Sequence, residues 1–492
     1  MKLIEHHNQQ KGKYETRRHF LKGCTTGLGA MAVASMLGCN DTSDKMVAKV
    51  IDKFSGQRDI SHFSPKAKNV IFLHMAGGPS QLELFDYKPE LARLNNQECP
   101  DSFMDGKRFA FISGKPKMLG PKAEFAQYGQ SGAWVSDNLP HFSSVVDDVC
   151  FLKAMHTDEI NHAPAQLFLH TGSARMGRPS IGSWVTYGLG SSNDNLPGYM
   201  VLLSGGQTPS AGKSVWGNGF LPSVYQGVQC RSHGDPILYL SDPANVSRDL
   251  RRDIIDAIND VNREEYETFN DPETLTRIQQ YEMAYKMQVS VPEVMDIKDE
   301  PQHMHDLYGT TPGKESFANN CLLARRLVEK GVRFIQLFHW GWDIHGNGKE
   351  VSLEHGFKDR CREVDQAMTA LIKDLKQRGM LDETLIVWGG EFGRTPMLEN
   401  RSGVDNPYSG RDHHIDAYTM WMAGGGIKPG VSYGETDALG YSGIKDQVHI
   451  HDLQATILNQ MGLNHLDHTY LFQGRDYRLT DLFGNVVKDI IT

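Results

Sequence analysis

The chain reads VRFIQLFHWGWDIHG at residues 332–346 and TLIVWGGEFGRT at residues 384–395, and in each segment an apolar, strand-like run ends in a polar cluster. Between them, apolar residues recur every three or four positions over residues 357–375, which predicts a single helix. A strand, a helix and a strand of these lengths predict a right-handed crossover with two parallel strands. Open α/β folds place their ligands beyond the carboxyl ends of such strands, so we expect three polar side chains to meet there: Asp343, His345 and Glu391.

Strand and helix patterns alternate along most of the chain. Further strands are predicted at 69–75, 199–203 and 418–422, and further helices at about 247–269, from 272 onward, at 315–330 and at 452–461. This alternation predicts an α/β fold, a three-layer α/β/α sandwich with a mostly parallel central sheet. We expect a single domain over residues 67–492, with a helical insertion at about 205–310 that begins as an irregular loop region.

The N-terminus carries the features of an export signal. Arg17 and Arg18 precede a mostly apolar stretch, residues 23–37, that is shorter than the roughly 20 residues of a membrane-spanning helix. A charged start, twin arginines and a short apolar region predict a twin-arginine signal over residues 1–39. The twin-arginine export machinery is therefore an expected partner, and the periplasm or cell envelope is the expected location.

Cys39 ends this signal in the setting Met36-Leu-Gly-Cys39, which resembles the lipobox of bacterial lipoproteins. If Cys39 is lipidated, the mature protein is tethered to a membrane surface; if it is not, the protein is soluble outside the cytoplasm. Residues 40–66 are polar and are predicted to form a linker that leads to the folded domain.

The composition limits the classes of partner and the chemistry of the cysteines. A formal net charge of -9 without a concentrated basic block argues against a general nucleic-acid-binding protein. The seven cysteines show no zinc-finger spacing, and Cys321 and Cys361 are expected to be buried apolar residues. In an oxidising compartment, a disulfide between two of three other cysteines is left open: Cys99, Cys150 and Cys230.

Four polar segments are candidates for chemistry, because carboxylates and imidazoles at strand ends can bind a divalent metal. They are Asn161-His162, Asp343 with His345, Glu391, and Arg411-Asp-His413-His414. Asp343 and His345 are two residues apart and could face one side of an extended loop, whereas the adjacent His413 and His414 point differently, so we expect only one of these two as a ligand. Arg394 and Arg411 could bind an anionic substrate or serve as structural ion-pair partners.

Several motifs resemble those of the DUF1501 family, a group of exported proteins often described as sulfatase-like, over roughly residues 65–490. The motifs are Gly77-Gly-Pro-Ser80, Glu83-Leu-Phe-Asp86, Asn161-His-Ala-Pro164, Gly177-Arg-Pro-Ser-Ile-Gly-Ser-Trp184, Gly341-Trp-Asp-Ile-His345, Glu391-Phe-Gly-Arg-Thr-Pro396 and Arg411-Asp-His-His414. The resemblance implies a fold similar to that of the alkaline phosphatase and sulfatase superfamily, whereas the reaction of the family itself is poorly defined.

Against the superfamily pattern, His162 stands where sulfatases carry their modified cysteine, and Gln166 replaces the arginine of that motif. The motif Cys-x-Pro-x-Arg does not occur in the chain, so the formylglycine chemistry of ordinary sulfatases is excluded. The resemblance implies one divalent metal ion (Zn, Ca, Mg or Mn) with Glu391 as ligand or general base and with further ligands from this set: Asp343, His345, and His413 or His414. Asn161 and His162 are the other catalytic candidates, with His162 as a nucleophile, a proton donor or a further ligand.

Two functions remain in competition. The leading hypothesis is an exported, metal-dependent hydrolase that acts on sulfate or phosphate esters of a small molecule or a polysaccharide. The alternative is a non-catalytic envelope protein that keeps the fold and uses the sheet edge for binding.

Overall fold

The computed structural model describes residues 60–104, 106–107, 109–231, 237, 246–401 and 403–492. The predicted export signal, Cys39 and most of the predicted linker lie outside these residues and stay predictions, as does the division of the chain into domains. Within the described part, no helix is both long enough and apolar enough to cross a membrane.

A nine-stranded sheet forms the centre of the described residues. In chain order its strands are β1 (Asn69–Ala76), β2 (Val149–His156), β3 (Tyr199–Ser204), β4 (Val228–Cys230), β5 (Phe334–Trp340), β6 (Thr384–Gly389), β7 (Tyr418–Ala423), β8 (Val431–Tyr433) and β9 (Val448–His449). Their order in space is β8-β2-β7-β6-β1-β5-β3-β4, and β9 also pairs with β2. Among these strands β7 alone runs antiparallel to its neighbours β2 and β6, which confirms the mostly parallel sheet.

Helices cover both faces of this sheet. They are α1 (Pro89–Arg93), α2 (His162–Thr171), α3 (Ile181–Leu189), α4 (Arg248–Phe269), α5 (Pro272–Met295), α6 (Gln302–Tyr308), α7 (Phe317–Glu329), α8 (Gly356–Gln377) and α9 (Ile450–Gln460). Five short two-stranded ladders lie outside the main sheet: Phe125–Tyr128 with Ala133–Ser136, Gly393–Arg394 with His413–His414, Asn400–Arg401 with Val404–Asp405, Glu435–Thr436 with Gly443–Lys445, and Tyr470–Phe472 with Arg475–Tyr477.

The strand β1 shows why the apolar runs in the sequence are continuous. Alternate residues of a strand point to opposite faces, and here both faces are covered. Ile71 and Leu73 pack with α7 and α8, while Val70 and Phe72 pack with α2, α3 and α9. The molecule is therefore a three-layer α/β/α sandwich, as the sequence predicts.

The sequence analysis missed the strand β2. Its sequence is VCFLKAMH, in which Lys153 interrupts the apolar run. β2 pairs antiparallel with β7, so the predicted strand at 418–422 is present but does not belong to the parallel part of the sheet. The region 205–245 is also not entirely loop, because β4 pairs with β3 at the edge of the sheet.

The cysteines of the described residues form no disulfide. Cys99, Cys150 and Cys230 are buried free thiols, so none of the disulfides that the sequence leaves open between them is formed. Cys321 and Cys361 are buried at 0% exposure in α7 and α8, which confirms their predicted role as small apolar residues.

The predicted helical insertion contains the antiparallel pair α4 and α5. α5 packs against α7, where Arg326 Nε donates to the carbonyl oxygen of Val294 at 2.8 Å. Val291 and Val294 are 0% and 1% exposed at this contact. Burying an aliphatic side chain of this size contributes about 1.5–3 kcal/mol, so Val291 and Val294 stabilise the packing of α5 against α7.

Candidate metal centre

Three adjacent strand ends carry the site. β1 lies between β5 and β6 and pairs with both in parallel, with Ala76 opposite Trp340. The turn that follows β1 passes close to the turn that follows β5: Gly77 has a φ of +119°, and a Cβ there would lie 2.5 Å from the backbone nitrogen of Asp343. This backbone conformation and this contact both require glycine. The two polar clusters of the sequence therefore do meet at one edge of the sheet.

One carboxylate oxygen is the centre of the cluster. The Nε2 atoms of three histidines lie around Asp343 Oδ1, at 2.7 Å for His345, 3.1 Å for His162 and 3.2 Å for His413. Arg394 Nη2 donates to the same oxygen at 2.6 Å. One ligand atom from each of Asp343 and the three histidines can be chosen so that all four lie within 4.8 Å of one another. The structure thus brings together Asp343, His345 and, of the two alternatives His413 and His414, His413. It places His162 with them, in the position of the further ligand that the sequence left open.

Each of the three rings is held at its other nitrogen, Nδ1, by an acceptor. The acceptors are Glu391 Oε1 for His162 (2.7 Å), Glu399 Oε2 for His345, and the carbonyl oxygen of Ile160 for His413 (2.7 Å). Because an ionised carboxylate and a carbonyl can only accept, Nδ1 carries the proton and the Nε2 lone pair of a neutral ring faces Asp343. Metal-ligating histidines are typically held by such partners.

The Nε2 atoms fit a shared cation better than direct hydrogen bonds to Asp343. His162 Nε2 is buried and has no hydrogen-bond partner, although Asp343 Oδ1 is 3.1 Å away. The carbonyl oxygen of Ile160 holds the proton of His413 on Nδ1, and burial lowers the pKa of this ring, so a neutral His413 presents the lone pair of Nε2 to Asp343 Oδ1 at 3.2 Å. Two acceptors at this separation repel each other unless a cation lies between them. The residues present therefore fit a bound metal ion.

The electrostatics of the cluster also favour positive charge. Burial lowers the pKa of His162, but its polar contacts with Asp343 and Glu391 and the negative charges of these two carboxylates outweigh burial and raise this pKa to about 9. Burial favours the neutral form of Asp343, yet Arg394 and the three histidines outweigh it and lower the pKa of this carboxyl. The two carboxylates thus favour a positive charge beside His162, either on its ring or on a bound cation.

Glu391, predicted as a ligand or general base, lies one layer behind the cluster. It is 0% exposed, and its oxygens accept from Gln166 Nε2 at 3.0 Å, His74 Nε2 at 3.0 Å and the backbone nitrogen of Gly77 at 3.1 and 3.2 Å, in addition to His162. Burial would raise its pKa, but the hydrogen bonds from His162 and His74 and the charge of His162 lower the pKa well below its usual value. Glu391 is therefore a buried carboxylate that reaches the cluster through His162.

The two arginines that could bind an anion, Arg394 and Arg411, are buried, and their guanidinium groups donate to groups of the protein itself. Arg394 is 1% exposed and donates to the carbonyl oxygens of Gly78 at 2.9 Å and Arg411 at 3.0 Å as well as to Asp343. Arg411 is 0% exposed and donates to Glu83 Oε1 from Nε at 3.1 Å and from Nη2 at 2.6 Å. The structure thus places both arginines in the alternative role, that of structural ion-pair partners.

The adjacent histidines separate as the sequence suggests. His413 and His414 form a two-residue strand, so their side chains point to opposite sides. His414 is buried away from the cluster, where its Nε2 bonds to the carbonyl oxygen of Tyr441. Asn161 is the exposed residue before α2, and its side chain makes no capping hydrogen bond.

Sequence analysis missed three residues that support the cluster: His74, His170 and Glu399. His74 lies within the apolar run of β1, and this polar side chain at a buried strand position was the available signal. His170 lies on the buried face of α2, and Glu399 lies in a segment between two-residue strands, without periodicity that could single it out.

Solvent reaches the cluster on one side. The side chain of Asp343 is 32% exposed. Phe111, 38% exposed, borders this opening, with its ring centroid 5.0 Å from that of His345 and 5.5 Å from that of His413. The guanidinium carbon of Arg401 lies 4.2 Å from the centroid of the Phe111 ring. A ligand from solution can therefore approach the cluster between polar and aromatic side chains.

Comparisons with solved structures give similarity at low sequence identity. The PsFucS1 sulfatase from Pseudoalteromonas sp. is similar over 86% of this chain and 72% of that chain, with 14% identity and a TM-score of 0.36. The alkaline phosphatase from the Antarctic bacterium TAB5 is similar over 81% of this chain and 99% of that chain, with 11% identity and a TM-score of 0.32. The phosphonate monoester hydrolase SpPMH from Silicibacter pomeroyi is similar over 81% of this chain and 74% of that chain, with 13% identity and a TM-score of 0.33.

No curated protein has a sequence that matches this one. A family model does match, over residues 67–491, and its description is "Protein of unknown function (DUF1501)". This range includes both strand-end segments, all four residues of the metal cluster and the carboxylates behind them. The chain therefore belongs to the DUF1501 family.

Proposed function

We propose that this protein is an exported, metal-dependent hydrolase of sulfate or phosphate esters that works without formylglycine. The observation that carries the proposal is the convergence of three Nε2 atoms on Asp343 Oδ1 at 2.7, 3.1 and 3.2 Å, each on a ring whose Nδ1 is held by an acceptor. A divalent metal bound there would act as a Lewis acid toward an ester oxygen and lower the pKa of a water molecule.

The donor set favours one group of metals. His162, His345 and His413 would supply imidazole nitrogen and Asp343 would supply carboxylate oxygen. Zinc accepts such a set in catalytic sites, whereas calcium and magnesium prefer oxygen ligands. Of the four metals that the sequence leaves open, zinc fits best and manganese next.

The start of α2 supports an anionic substrate. The amide groups at the N-terminus of a helix attract anions, and His162 places the first turn of α2 at the cluster. Asn161 makes no side-chain capping bond there and is exposed, so its amide group can reach a ligand, and the backbone N–H groups of His162 and Ala163 can also donate, whereas Pro164 has none. This replaces the anion-binding role predicted for Arg394 and Arg411.

His162 and Glu391 have narrower roles in this proposal than in the sequence analysis. His162 is assigned as a ligand because its Nε2 faces the same point as those of His345 and His413. Glu391 is assigned as its positioning partner rather than as a general base, because donors occupy both of its oxygens. Water, rather than His162, is then the attacking group in the proposed hydrolysis.

Export and location rest on the sequence of residues 1–39. The twin arginines and the short apolar stretch support export to the periplasm or cell envelope, and Cys39 offers a membrane tether. Fractionation of cells that produce wild-type protein and an Arg17→Lys/Arg18→Lys variant tests this part. Retention of the variant in the cytoplasm supports it, and equal export of both proteins contradicts it.

Hydrolysis itself is tested with the purified full chain on a panel of aryl sulfates, aryl phosphates and sulfated oligosaccharides. The expected result is turnover of at least one ester class that disappears after chelation, returns with Zn²⁺ or Mn²⁺, and is lost in Asp343→Asn. His414→Gln, which changes the neighbour of a ligand, is the matched control and should retain turnover. Metal binding without turnover of any ester contradicts the proposed hydrolase activity and favours the alternative, a non-catalytic binding protein.

A further inference from the structure

A chain of buried hydrogen bonds runs from the metal cluster into the core. His74 Nε2 lies 3.0 Å from Glu391 Oε2, and His74 Nδ1 lies 2.6 Å from His170 Nε2. Gln336 Nε2 reaches the His170 ring at 3.1 Å from Nδ1 and 3.3 Å from Nε2, and the Tyr199 hydroxyl donates to Gln336 Oε1. These five residues are between 0% and 1% exposed. Solvent therefore does not reach these hydrogen bonds, and a donor or acceptor that lost its partner here would remain unsatisfied.

The donors along this chain all point the same way. Because the Tyr199 hydroxyl donates to Gln336 Oε1, the amide nitrogen of Gln336 faces His170 and can only donate. The shorter of the two contacts from Gln336 is to His170 Nδ1, which we take as the acceptor, and the proton of a neutral ring is then on Nε2, where it is donated to His74 Nδ1. Burial lowers the pKa of His170 well below its usual value, so the ring is neutral and carries one proton.

The same reasoning continues to the cluster. His74 Nδ1 accepts from His170, so His74 Nε2 carries a proton and donates it to Glu391 Oε2. Glu391 is thereby kept as a pure acceptor, and its Oε1 can only accept from His162 Nδ1 at 2.7 Å. Since Nδ1 of His162 must hold a proton, Nε2 is the atom with the lone pair when the ring is neutral.

We propose that His74 and His170 are positioning residues that fix, through Glu391, the tautomer and orientation of His162 in which Nε2 is the metal ligand. This inference rests on the metal centre of the proposed function. It assigns a role to two core histidines that touch neither the metal cluster nor solvent. Partners behind a ligating histidine typically change metal affinity by 10–100-fold when they are removed.

The test compares two replacements of His74 in the purified full chain. His74→Met removes both nitrogens at similar volume, whereas His74→Gln keeps an amide donor that can reach Glu391. We expect His74→Met to weaken Zn²⁺ binding by about 10–100-fold and His74→Gln to recover most of the affinity. Affinity is measured by competition with a chromophoric chelator, and Co²⁺ spectra report the ligand field of the same site.

A matched control separates positioning from a loss of packing. Phe72 lies two residues before His74 on the same face of β1 and packs against the His170 ring, with centroids 5.1 Å apart. Phe72→Leu should lower the thermal unfolding midpoint and leave Zn²⁺ affinity within twofold of that of the wild type, because it removes volume and no hydrogen bond. His170→Leu deletes the donor to His74 and provides the test at a second position if His74→Met does not fold.

The outcomes distinguish the two proposals. If the wild type binds neither Zn²⁺ nor Co²⁺, the metal centre itself is refuted. If the wild type binds metal and His74→Met and His170→Leu bind it equally well, the positioning role is refuted while the metal centre stands. Equal losses in His74→Met and Phe72→Leu also refute the positioning role, because general packing would then explain both.

Discussion

Glu391 Oε1 lies 2.7 Å from His162 Nδ1, and the opposite nitrogen of that ring lies 3.1 Å from Asp343 Oδ1. A fully buried carboxylate thus acts on the cluster through a histidine and not by direct contact. The Nδ1 atoms of His162 and His345 are bonded by Glu391 and Glu399, respectively. These two carboxylates come from different segments of the chain but accept from the same atom of each ring.

Replacing Glu391 with glutamine therefore weakens metal binding without abolishing it. Glu391→Gln keeps the shape of the side chain and removes the charge, so we expect Zn²⁺ affinity to fall by about 10–100-fold. His345→Ala removes a ligand and should lower the affinity much further. Chelator competition measures both variants, and equal losses would show that Glu391 is itself a ligand.

A metal ion bound at this cluster would also stabilise the folded protein. A ligand that binds only the native state at a free concentration of 100 times its Kd adds about 2.7 kcal/mol to the free energy of unfolding. Removing metal with a chelator should therefore lower the thermal unfolding midpoint of the wild type, and adding Zn²⁺ should restore it. Asp343→Asn should show no such shift, and a wild type that is insensitive to chelation contradicts the prediction.

Arg411 is expected to matter for stability rather than for substrate binding. Arg411→Met leaves Glu83 buried without its cation, and breaking a buried ion pair in this way costs about 3–5 kcal/mol. The double variant Glu83→Gln/Arg411→Met removes both charges and should regain part of this loss in chemical denaturation. If Arg411→Met is as stable as the wild type and has a higher KM, Arg411 binds the anionic substrate instead.

Gly410 should be needed to hold His345 in place. A Cβ at Gly410 would lie 1.9 Å from the carbonyl carbon of His345, so Gly410→Ala must displace the backbone of a ligand. We expect loss of tight Zn²⁺ binding in this variant. The control is Gly348→Ala in the same region, where the nearest atom is 3.7 Å from the added Cβ. Equal affinity of the two variants would mean that this loop does not set the ligand geometry.

The sequence predicts the fold well because apolar periodicity reports burial directly. The run at 69–75 and the helix at 357–375 appear in the structure as β1 and α8 within one or two residues. β2 escaped detection because Lys153 breaks its run. The direction of β7 depends on partners distant in the chain, which a local pattern does not contain.

The site is only partly predictable for the same reason. Strand ends and spacing suffice to select Asp343 and His345, but they leave the choice between His413 and His414 open. Which carboxylate lies among the histidines and which one holds a ring from behind depends on distances between segments more than 200 residues apart, as with His162 and Glu391. The burial of Arg394 and Arg411 is likewise a property of the assembled turns and not of any local motif.

The most direct test of the metal centre is the metal content of three proteins, measured by elemental analysis after reconstitution with Zn²⁺ and gel filtration. His413 faces the cluster and its neighbour His414 faces away. His413→Ala therefore removes a side chain of the cluster, whereas His414→Gln does not. We predict about one Zn²⁺ per chain in the wild type and in His414→Gln, and little or none in His413→Ala. Equal zinc content in all three proteins, or none in the wild type, would contradict the account.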